Sequence, residues 1–267
     1  MIKTSGLSKT FPGGVEAVRG VDLAAEAGEI VGFLGPNGAG KTTTMRMLTT
    51  LLRPTGGTAT VAGHDLLADP RSVRRRIGYV SQGGGINPAT PVGEELELHA
   101  MLYGMHPARV RERVREVLDL LGLAGLETRP GGALSGGQRR RFDLAFGLVH
   151  GPSLLFLDEP TTGLDPQSRA DLWDHIRSLR QEHGLTVFLT THYLDEADAL
   201  ADRLFIIDHG VIVAEGTPAQ LKGTGTLDDV FLSITGRSLR DDPAGEPQTA
   251  GGAADERRAA RAAGERR

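Results

Sequence analysis

The most informative segment of this chain is Gly35-Pro36-Asn37-Gly38-Ala39-Gly40-Lys41-Thr42, followed by Thr43. It lies between an apolar run that ends at Leu34 and a helical pattern over residues 41–52. It fits G-x-x-x-x-G-K-[ST], in which backbone N–H groups surround phosphates, the lysine reaches the β- and γ-phosphates, and the threonine hydroxyl binds Mg²⁺. The segment therefore predicts a nucleotide site with Mg²⁺. A glycine-rich turn is the alternative in a chain with 37 glycines.

A second informative segment is the apolar run 154–157, which ends in the carboxylates Asp158 and Glu159. Parallel sheets present the carboxyl ends of their strands at one edge, beside a phosphate-binding loop. Asp158 is then expected to hold Mg²⁺ through water, and Glu159 to orient and deprotonate the attacking water. A strand followed by an acidic helix cap is the alternative, and the nearby phosphate loop disfavours it.

The rest of the chain alternates strand and helix patterns. Runs 154–157 and 186–189 are apolar or nearly so and flank a helix over 166–183 capped by Asp165. Strands that are buried on both faces have this pattern, so we predict a parallel sheet covered by helices. Further predictions are strands over 18–23, 29–34 and 77–80, helices over 94–103 and 107–121, a hairpin of 203–208 with 211–215, and a short helix from 217.

Composition excludes several function classes. The formal net charge is −4, so nucleic acid is not expected as a partner, and the absence of cysteine excludes disulfides and cysteine-ligated metal sites. No run approaches the roughly 18 apolar residues of a membrane span, so the chain is not expected to cross a membrane unaided. Residues 241–267 contain no aromatic or branched aliphatic side chain and are predicted to be a disordered tail.

A second anion-binding pattern is Leu134-Ser135-Gly136-Gly137-Gln138, at the start of a helix predicted over 139–149. It offers a serine hydroxyl and two unobstructed backbone N–H groups at a helix N-terminus. One subunit already has a phosphate cradle in residues 35–42. The second cradle is therefore expected to face the γ-phosphate held by another subunit.

In this order with Lys41 and Glu159, residues 134–138 resemble the signature of the ABC ATPase family, and the resemblance covers about residues 2–240. It implies an α/β fold: a P-loop NTPase core with a parallel sheet flanked by helices. It also implies an N-terminal antiparallel β subdomain and a helical, signature-bearing subdomain over about 84–150. The implied domains are an ABC ATPase domain over 1–225, a small packing segment over 226–240, and the tail.

The resemblance also assigns roles to single residues. Gln82 resembles the glutamine that ligates Mg²⁺ and senses the membrane partner, and His192 resembles the switch histidine that contacts the γ-phosphate and the attacking water. Residues 162–165 resemble the loop that crosses to the partner subunit, a role compatible with helix capping by Asp165. Phe11 takes the place of the aromatic residue that stacks on adenine; a core phenylalanine at a sheet edge is the alternative.

Three stretches resemble the daunorubicin-resistance type of drug-export ATPase: 139–145, 227–232 and 235–237. This resemblance implies a subunit that binds and hydrolyses ATP with Mg²⁺, forms an ATP-dependent dimer with a second copy, and lies at the cytoplasmic face of the membrane. It would energise a separately encoded integral-membrane permease that exports a drug-like or lipophilic compound. The arginine run 139–141 is otherwise interpreted as a solvated or phosphate-facing surface. The Gly- and Pro-rich loop 83–91 departs from the family pattern where the permease should dock.

Two other functions are compatible with a nucleotide-binding cassette. A soluble ABC ATPase acting on ribosomes or nucleic acid is the first. Such proteins usually join two cassettes in one chain or carry coiled coils or zinc modules, and this sequence shows neither. A regulatory module that binds ATP without hydrolysing it is the second, and the presence of both Glu159 and His192 argues against it.

Overall fold

The computed structural model describes residues 1–236 of the chain, and its β-strands form two sheets. In chain order the strands are β1 (Ile2–Thr10), β2 (Glu16–Val21), β3 (Ala24–Ala25), β4 (Ile30–Leu34), β5 (Gly56–Val61), β6 (His64–Asp65), β7 (Ile77–Val80), β8 (Leu154–Asp158), β9 (Thr186–Thr191), β10 (Arg203–Asp208) and β11 (Val211–Gly216). The helices are α1 (Lys41–Leu48), α2 (Pro70–Arg76), α3 (Val92–Leu102), α4 (Pro107–Leu120), α5 (Gly136–Leu148), α6 (Pro166–His183), α7 (Leu194–Leu200), α8 (Pro218–Lys222) and α9 (Leu227–Thr235), and a 3₁₀ turn spans Gly131–Ala133.

The larger sheet has the order β11-β10-β4-β9-β8-β7, and all its pairings are parallel except that of β10 with β11. Every residue of β4, β8 and β9 is buried. Helices cover both faces of such a sheet, which explains why these strands are apolar without alternation. The predicted α/β core with a parallel sheet is confirmed.

The smaller sheet is antiparallel and lies at the N-terminus, in the order β2-β1-β5-β6 with β3 also paired to β1. The predicted N-terminal antiparallel β subdomain is therefore confirmed. Two of its main strands, β1 and β5, were not predicted. In β1 the residues Ile2 and Thr4 are buried in alternation with exposed neighbours, but this alternation stops at Gly6, which has φ +57° and lies beside a register shift. The alternating stretch is therefore too short to identify a strand from the sequence.

Helices α3, α4 and α5 share a hydrophobic core with the β8 and β9 side of the large sheet, within the region predicted to be a helical subdomain. Helix α4 buries Val110, Val114, Val117 and Leu118 at the predicted spacing. Helix α1 ends at Leu48 instead of Leu52, since Thr50 adopts φ +65° and the chain turns away there. Helices α2 and α7 were not predicted, because seven residues give too few turns for a periodic pattern.

Helix α9 packs on the large sheet through two side chains. Leu227 and Phe231 are buried in a cluster with Leu34, whereas Leu232 and Ile234 are 50% and 38% exposed. The packing of this segment therefore depends on the first two side chains and not on the last two. The predicted disordered tail lies outside the described residues. Within residues 1–236, no helix is both long and apolar enough to cross a membrane.

Candidate active site

The candidate site lies at the carboxyl edge of four neighbouring parallel strands. Strand β4 leads into the glycine-rich loop 35–40, β9 into His192, β8 ends in Asp158 before Glu159, and β7 precedes Gln82. The strand order β4-β9-β8-β7 therefore brings together residues that are more than 150 positions apart in the sequence. Ligands of open α/β sheets bind at this edge.

The glycine-rich loop is closely packed against its neighbours. A Cβ atom at Gly35 would lie 2.3 Å from the Ile207 carbonyl oxygen, and one at Gly40, which has φ +107°, would lie 2.6 Å from that of Ala17. Lys41 is 4% exposed, and its Nζ donates to the carbonyl oxygens of Gly35 (2.7 Å) and Pro36 (3.1 Å). Gly35 and Gly40 therefore have no room for a side chain, and the lysine amine is held by carbonyls of its own loop; phosphate binding by this loop stays a prediction.

Asp158 is buried and accepts two hydroxyl hydrogen bonds. The Oδ1 atom receives Thr190 Oγ1 at 2.6 Å and Thr42 Oγ1 at 3.1 Å. Burial raises the pKa of Asp158, although both hydroxyl donors oppose that shift. The contact with Thr42 joins the phosphate loop to the acidic strand end, which are the two predicted metal-binding elements.

Glu159 is the point where the site residues converge. Its Oε2 accepts from Gln82 Nε2 (3.0 Å) and Thr162 Oγ1 (3.3 Å) and lies 3.2 Å from His192 Nδ1, at an angle too poor for a hydrogen bond. Its Oε1 lies 3.6 Å from Lys41 Nζ. The predicted residues of the phosphate loop, the acidic pair, Gln82 and His192 therefore form one cluster.

The surroundings of Glu159 favour its ionised form. Burial by itself raises the pKa of a carboxyl group, but the adjacent His192 and the ammonium group of Lys41 outweigh it, so the pKa of Glu159 is lowered. The residue is thus a carboxylate at neutral pH. A carboxylate with a low pKa is a weak base, so it is better suited to orienting water than to holding a proton for long.

The signature residues lie away from this cluster, at the start of α5. Ser135 caps the helix: its Oγ accepts from Gln138 N, and Gln138 Oε1 accepts from Ser135 N. Ser135 and Gly136 are exposed, and a Cβ atom at Gly137 would lie 2.7 Å from Ser168 Oγ at the start of α6. The cradle therefore faces the surface, where a second molecule could reach it.

Two further predicted residues lie near the edges of the structure. Phe11, which follows β1, is 36% exposed, with Lys9 Nζ 5.4 Å from its ring centre, so the alternative of a core phenylalanine is wrong. Its stacking on adenine stays a prediction. Asp165 caps α6 by accepting from Ser168 N and Oγ, as predicted, and these bonds lower its pKa.

Sequence reasoning missed Thr190 and Arg140. Thr190 is fully buried and supports Asp158; the signal was the pair of hydroxyl residues Thr190-Thr191 that ends strand β9. The arginine run was interpreted as solvated or phosphate-facing, which is wrong for Arg140. That side chain is 7% exposed, and its guanidinium donates to main-chain carbonyls around Glu159. No pattern in the sequence separates Arg140 from the exposed Arg139.

The comparisons with known proteins agree on one family. The family model described as ABC transporter matches residues 18–162. A daunorubicin/doxorubicin resistance ATP-binding protein of Streptomyces peucetius is 52% identical over 84% of this chain and 67% of that protein. A doxorubicin resistance ATP-binding protein of Mycobacterium tuberculosis is 44% identical over 90% of this chain and 72% of that protein.

A solved structure shares the fold at lower identity. The ATP-binding cassette MJ0796, a dimer in a post-hydrolysis state with ADP and Pi, gives a TM-score of 0.74 at 27% identity. The alignment covers 81% of this chain and 98% of that one. That protein was therefore observed as a dimer and with the products of ATP hydrolysis bound.

Proposed function

The chain belongs to the ABC transporter family and is an ATP-binding, ATP-hydrolysing cassette; from this premise we propose that it energises a separate membrane permease exporting a drug-like or lipophilic compound. The names of the two resistance proteins support export of a drug. They also favour a transporter subunit over an ATPase that acts on ribosomes or nucleic acid. This chain spans about two thirds to three quarters of their length.

The observation that carries the catalytic part of the proposal is the convergence on Glu159. Three side chains that follow three different strands all lie within 3.6 Å of the Glu159 carboxylate: those of Lys41, Gln82 and His192. A structural acidic helix cap needs none of these neighbours. A cation, an amide and an imidazole around a buried carboxylate are suited to placing water beside a γ-phosphate.

Each residue of the cluster then has a role in phosphoryl transfer. The N–H groups of residues 35–42 hold the phosphates, and Lys41 leaves the loop carbonyls to neutralise charge on the β- and γ-phosphates. Glu159, already ionised, orients the attacking water and accepts its proton. His192 contacts the γ-phosphate and the attacking water, and Phe11 stacks on the adenine ring.

The residues at the phosphate loop fit Mg²⁺. Thr42 Oγ1 donates to Asp158 Oδ1 at 3.1 Å, so an ion held by the Thr42 hydroxyl would lie beside Asp158, which would then hold it through a water ligand. Within residues 1–236 no cluster of three or more His, Cys or acidic side chains could hold a metal, so most ligands would be water and phosphate, as Mg²⁺ prefers. When bound, the ion would neutralise phosphate charge, with Gln82 as a further ligand.

The second anion cradle supports a dimer with shared sites. Ser135 and Gly136 are exposed on α5 rather than turned toward the chain's own phosphate loop. We propose that the residues 135–138 of one subunit close on the γ-phosphate held by residues 35–42 of the other. The dimeric state of the related cassette MJ0796 supports this arrangement.

The permease would dock beside Gln82, at the cytoplasmic face of the membrane. A groove of about 330 Å³ lies there between β7, α3 and α5, lined in part by Ser81, Gly85 and Asp143. The same groove continues onto Leu98 and Leu102 of α3, which are 55% and 76% exposed. Exposed leucines beside a groove suit an apolar cytoplasmic segment of a membrane protein.

The test is to purify the chain in detergent with the membrane protein that it binds and to reconstitute the complex in vesicles. We expect ATP hydrolysis faster than that of the chain alone and ATP-dependent accumulation of daunorubicin in inside-out vesicles. Leu98→Asp with Leu102→Asp should abolish the stimulation but not the basal hydrolysis. Stimulated hydrolysis without daunorubicin transport would reject the drug assignment, and the absence of any stimulating membrane protein would reject the transporter role.

A further inference from the structure

Glu159 sits in a strained turn. Its φ is +45°, in the left-handed region that costs free energy for any residue with a side chain. Its N–H donates to both the carbonyl oxygen and the Oγ1 of Thr190, each at 3.1 Å. Those bonds fix the start of the turn on β9 but leave its carbonyl groups to be held by something else.

The guanidinium of Arg140 holds those carbonyls. Its Nε donates to Pro160 O at 2.6 Å and its Nη2 to Asp158 O at 3.2 Å, so the two bonds lie on either side of Glu159. Its Nη1 donates to Ser81 O at 2.7 Å, immediately before Gln82. One rigid, planar group thus ties the main chain of Glu159 to that of Gln82, and both to the signature helix α5.

Asp143 orients this guanidinium from one turn further along α5. Its Oδ2 lies 3.6 Å from Arg140 Nη1, and its Oδ1 accepts from Gly85 N at 3.1 Å. Both side chains are 7% exposed. Burial raises the pKa of Asp143 against the opposing charge of Arg140, and a buried pair of this kind is retained only where its geometry satisfies both partners.

A comparable arginine shows what is special about this one. Arg113 on α4 donates its Nε to Val149 O and its Nη2 to Leu148 O, and its Nη1 pairs with Glu116 three residues on. The chemistry and spacing match those of Arg140 with Asp143. The two arginines differ in the carbonyl groups that they bind. Arg113 binds carbonyls at the end of α5, whereas Arg140 binds carbonyls of the turn that contains Glu159.

We propose that Arg140, oriented by Asp143, is a positioning residue for ATP hydrolysis: it holds the Glu159 carboxylate in its strained conformation and in register with Gln82. The inference rests on the proposed role of Glu159 in turnover. Asp143 also lines the groove beside Gln82, so the pair connects that groove to the catalytic turn. Arg140 itself touches only the main chain around the cluster and acts through Glu159.

The test compares Arg140→Lys with the matched control Arg113→Lys in the full chain. Lysine keeps the charge and has three N–H donors, but all three are on one nitrogen, which cannot reach together the carbonyls that Nε, Nη1 and Nη2 of Arg140 contact separately. For Arg140→Lys we expect kcat to fall about 10- to 100-fold, while KM and equilibrium binding of Mg·ATP stay within about two-fold, because the phosphate loop is untouched. Hydrogen–deuterium exchange should rise over residues 157–163 and 80–86 and nowhere else.

Arg113→Lys should change neither kcat nor exchange in those two segments. A wild-type kcat in Arg140→Lys would overturn the proposal, and so would unchanged exchange over 157–163 or equal effects in the two variants. If Arg140→Lys does not fold, Asp143→Asn replaces it, since asparagine can still accept from Gly85 N. A smaller fall in kcat with the same exchange pattern is expected there, and wild-type values would overturn the proposal.

Glu159→Gln separates this inference from the function on which it rests. Turnover that survives Glu159→Gln would remove the proposed role of Glu159. Turnover lost in Glu159→Gln but kept in Arg140→Lys would remove only the positioning role. No membrane protein enters either measurement, so the export proposal stands or falls separately.

Discussion

Glu159 is the residue on which three site side chains converge, and Glu159→Gln keeps its shape while removing its negative charge. We expect Mg·ATP to bind at least as well as to wild type and kcat to fall about 100-fold or more, since the base is lost. Because ATP then persists between the subunits, a dimer should accumulate. Phosphate release, nucleotide binding and size-exclusion chromatography with light scattering measure the three effects.

The control is Glu112→Gln, an exposed glutamate on α4 that pairs with Arg109. It should behave as wild type in all three measurements. A Glu159→Gln protein that hydrolyses ATP at a substantial fraction of the wild-type rate, or remains monomeric at saturating Mg·ATP, would contradict the role assigned to this carboxylate.

His150 makes folding stability depend on pH. Its Nε2 lies 2.9 Å from Ile77 O and must donate to it, while Nδ1 is buried without a partner. Burial, helped by His99 and Arg113, lowers the pKa of His150 to about 4. Between pH 6.5 and 4, His150 therefore binds a proton in the unfolded chain but not in the folded chain. The free energy of unfolding falls as the pH falls. The slope is at most about 1.4 kcal/mol per pH unit, and partial solvent access reduces it.

The measurement is the thermal unfolding midpoint of wild type and His150→Gln from pH 7 to pH 4. Glutamine can still donate to Ile77 O but does not titrate, so its midpoint should decline less steeply below pH 6.5. The control His183→Gln removes an exposed histidine at the end of α6 and should follow wild type. Parallel curves for wild type and His150→Gln would contradict the assignment.

Single residues were predictable where a motif fixes their spacing. Lys41, Asp158 and Glu159 follow from patterns whose chemistry requires those residue types. Gln82 and His192 were assigned by family resemblance, and the structure places them against Glu159. Arg140 could not be predicted, because its burial depends on α5 packing against β7, which brings the guanidinium to the turn after β8, and no local pattern encodes that contact.

At the scale of elements, α9 is expected to stabilise the sheet. Leu227 and Phe231 belong to one buried cluster with Leu34, which ends the strand leading into the phosphate loop. Truncation before residue 226 removes both side chains and should lower the free energy of unfolding by about 3 kcal/mol or more. Truncation after residue 240 removes no aromatic or branched aliphatic side chain and should leave stability and ATP hydrolysis unchanged.

Urea unfolding of the two truncated proteins beside the full chain measures the difference. Exposing the Leu34 end of β4 should also weaken Mg·ATP binding in the shorter protein. Equal stabilities for the two truncations would show that α9 contributes no packing and that the boundary near residue 240 is misplaced.

Elements were predictable in proportion to their burial and length. Strands β4, β8 and β9 are apolar because both faces are covered, and α4 and α6 are long enough to show a helical period. Strands β1 and β5 pair antiparallel with each other; Gly6 interrupts the pattern of β1, and β5 begins with two glycines. Their assignment depends on partners distant in sequence, which local pattern does not provide.

At the scale of the whole molecule, one subunit contains two predicted anion cradles for one triphosphate. Residues 35–42 face the cluster around Glu159, and residues 135–138 face the surface. A dimer accounts for both cradles if each ATP site is formed by the phosphate loop of one subunit and the signature residues of the other. This arrangement makes a prediction that a self-contained site does not make.

Lys41→Ala should lose ATP binding, and Ser135→Arg should block closure, so each variant is inactive as a homodimer. In a heterodimer of the two, both defects fall in one shared site, and the other site has an intact phosphate loop and an intact signature. At equal amounts and random pairing, half of the dimers are mixed and each has one good site. Hydrolysis should therefore recover to about one quarter of the wild-type rate, if the two sites work independently.

The measurement is phosphate release and Mg·ATP-dependent dimer formation as the mixing ratio is varied, with the total protein held constant. Recovery should peak near equal amounts, because the heterodimer fraction peaks there. The control mixes Lys41→Ala with Glu159→Gln, whose defects both lie on the phosphate-loop side. In that heterodimer each site keeps one defect, so hydrolysis should not recover. No recovery in the first mixture by either measurement would favour sites contained within one chain over sites shared by two. Recovery in the control would instead show that Lys41 and Glu159 of one chain do not serve the same site.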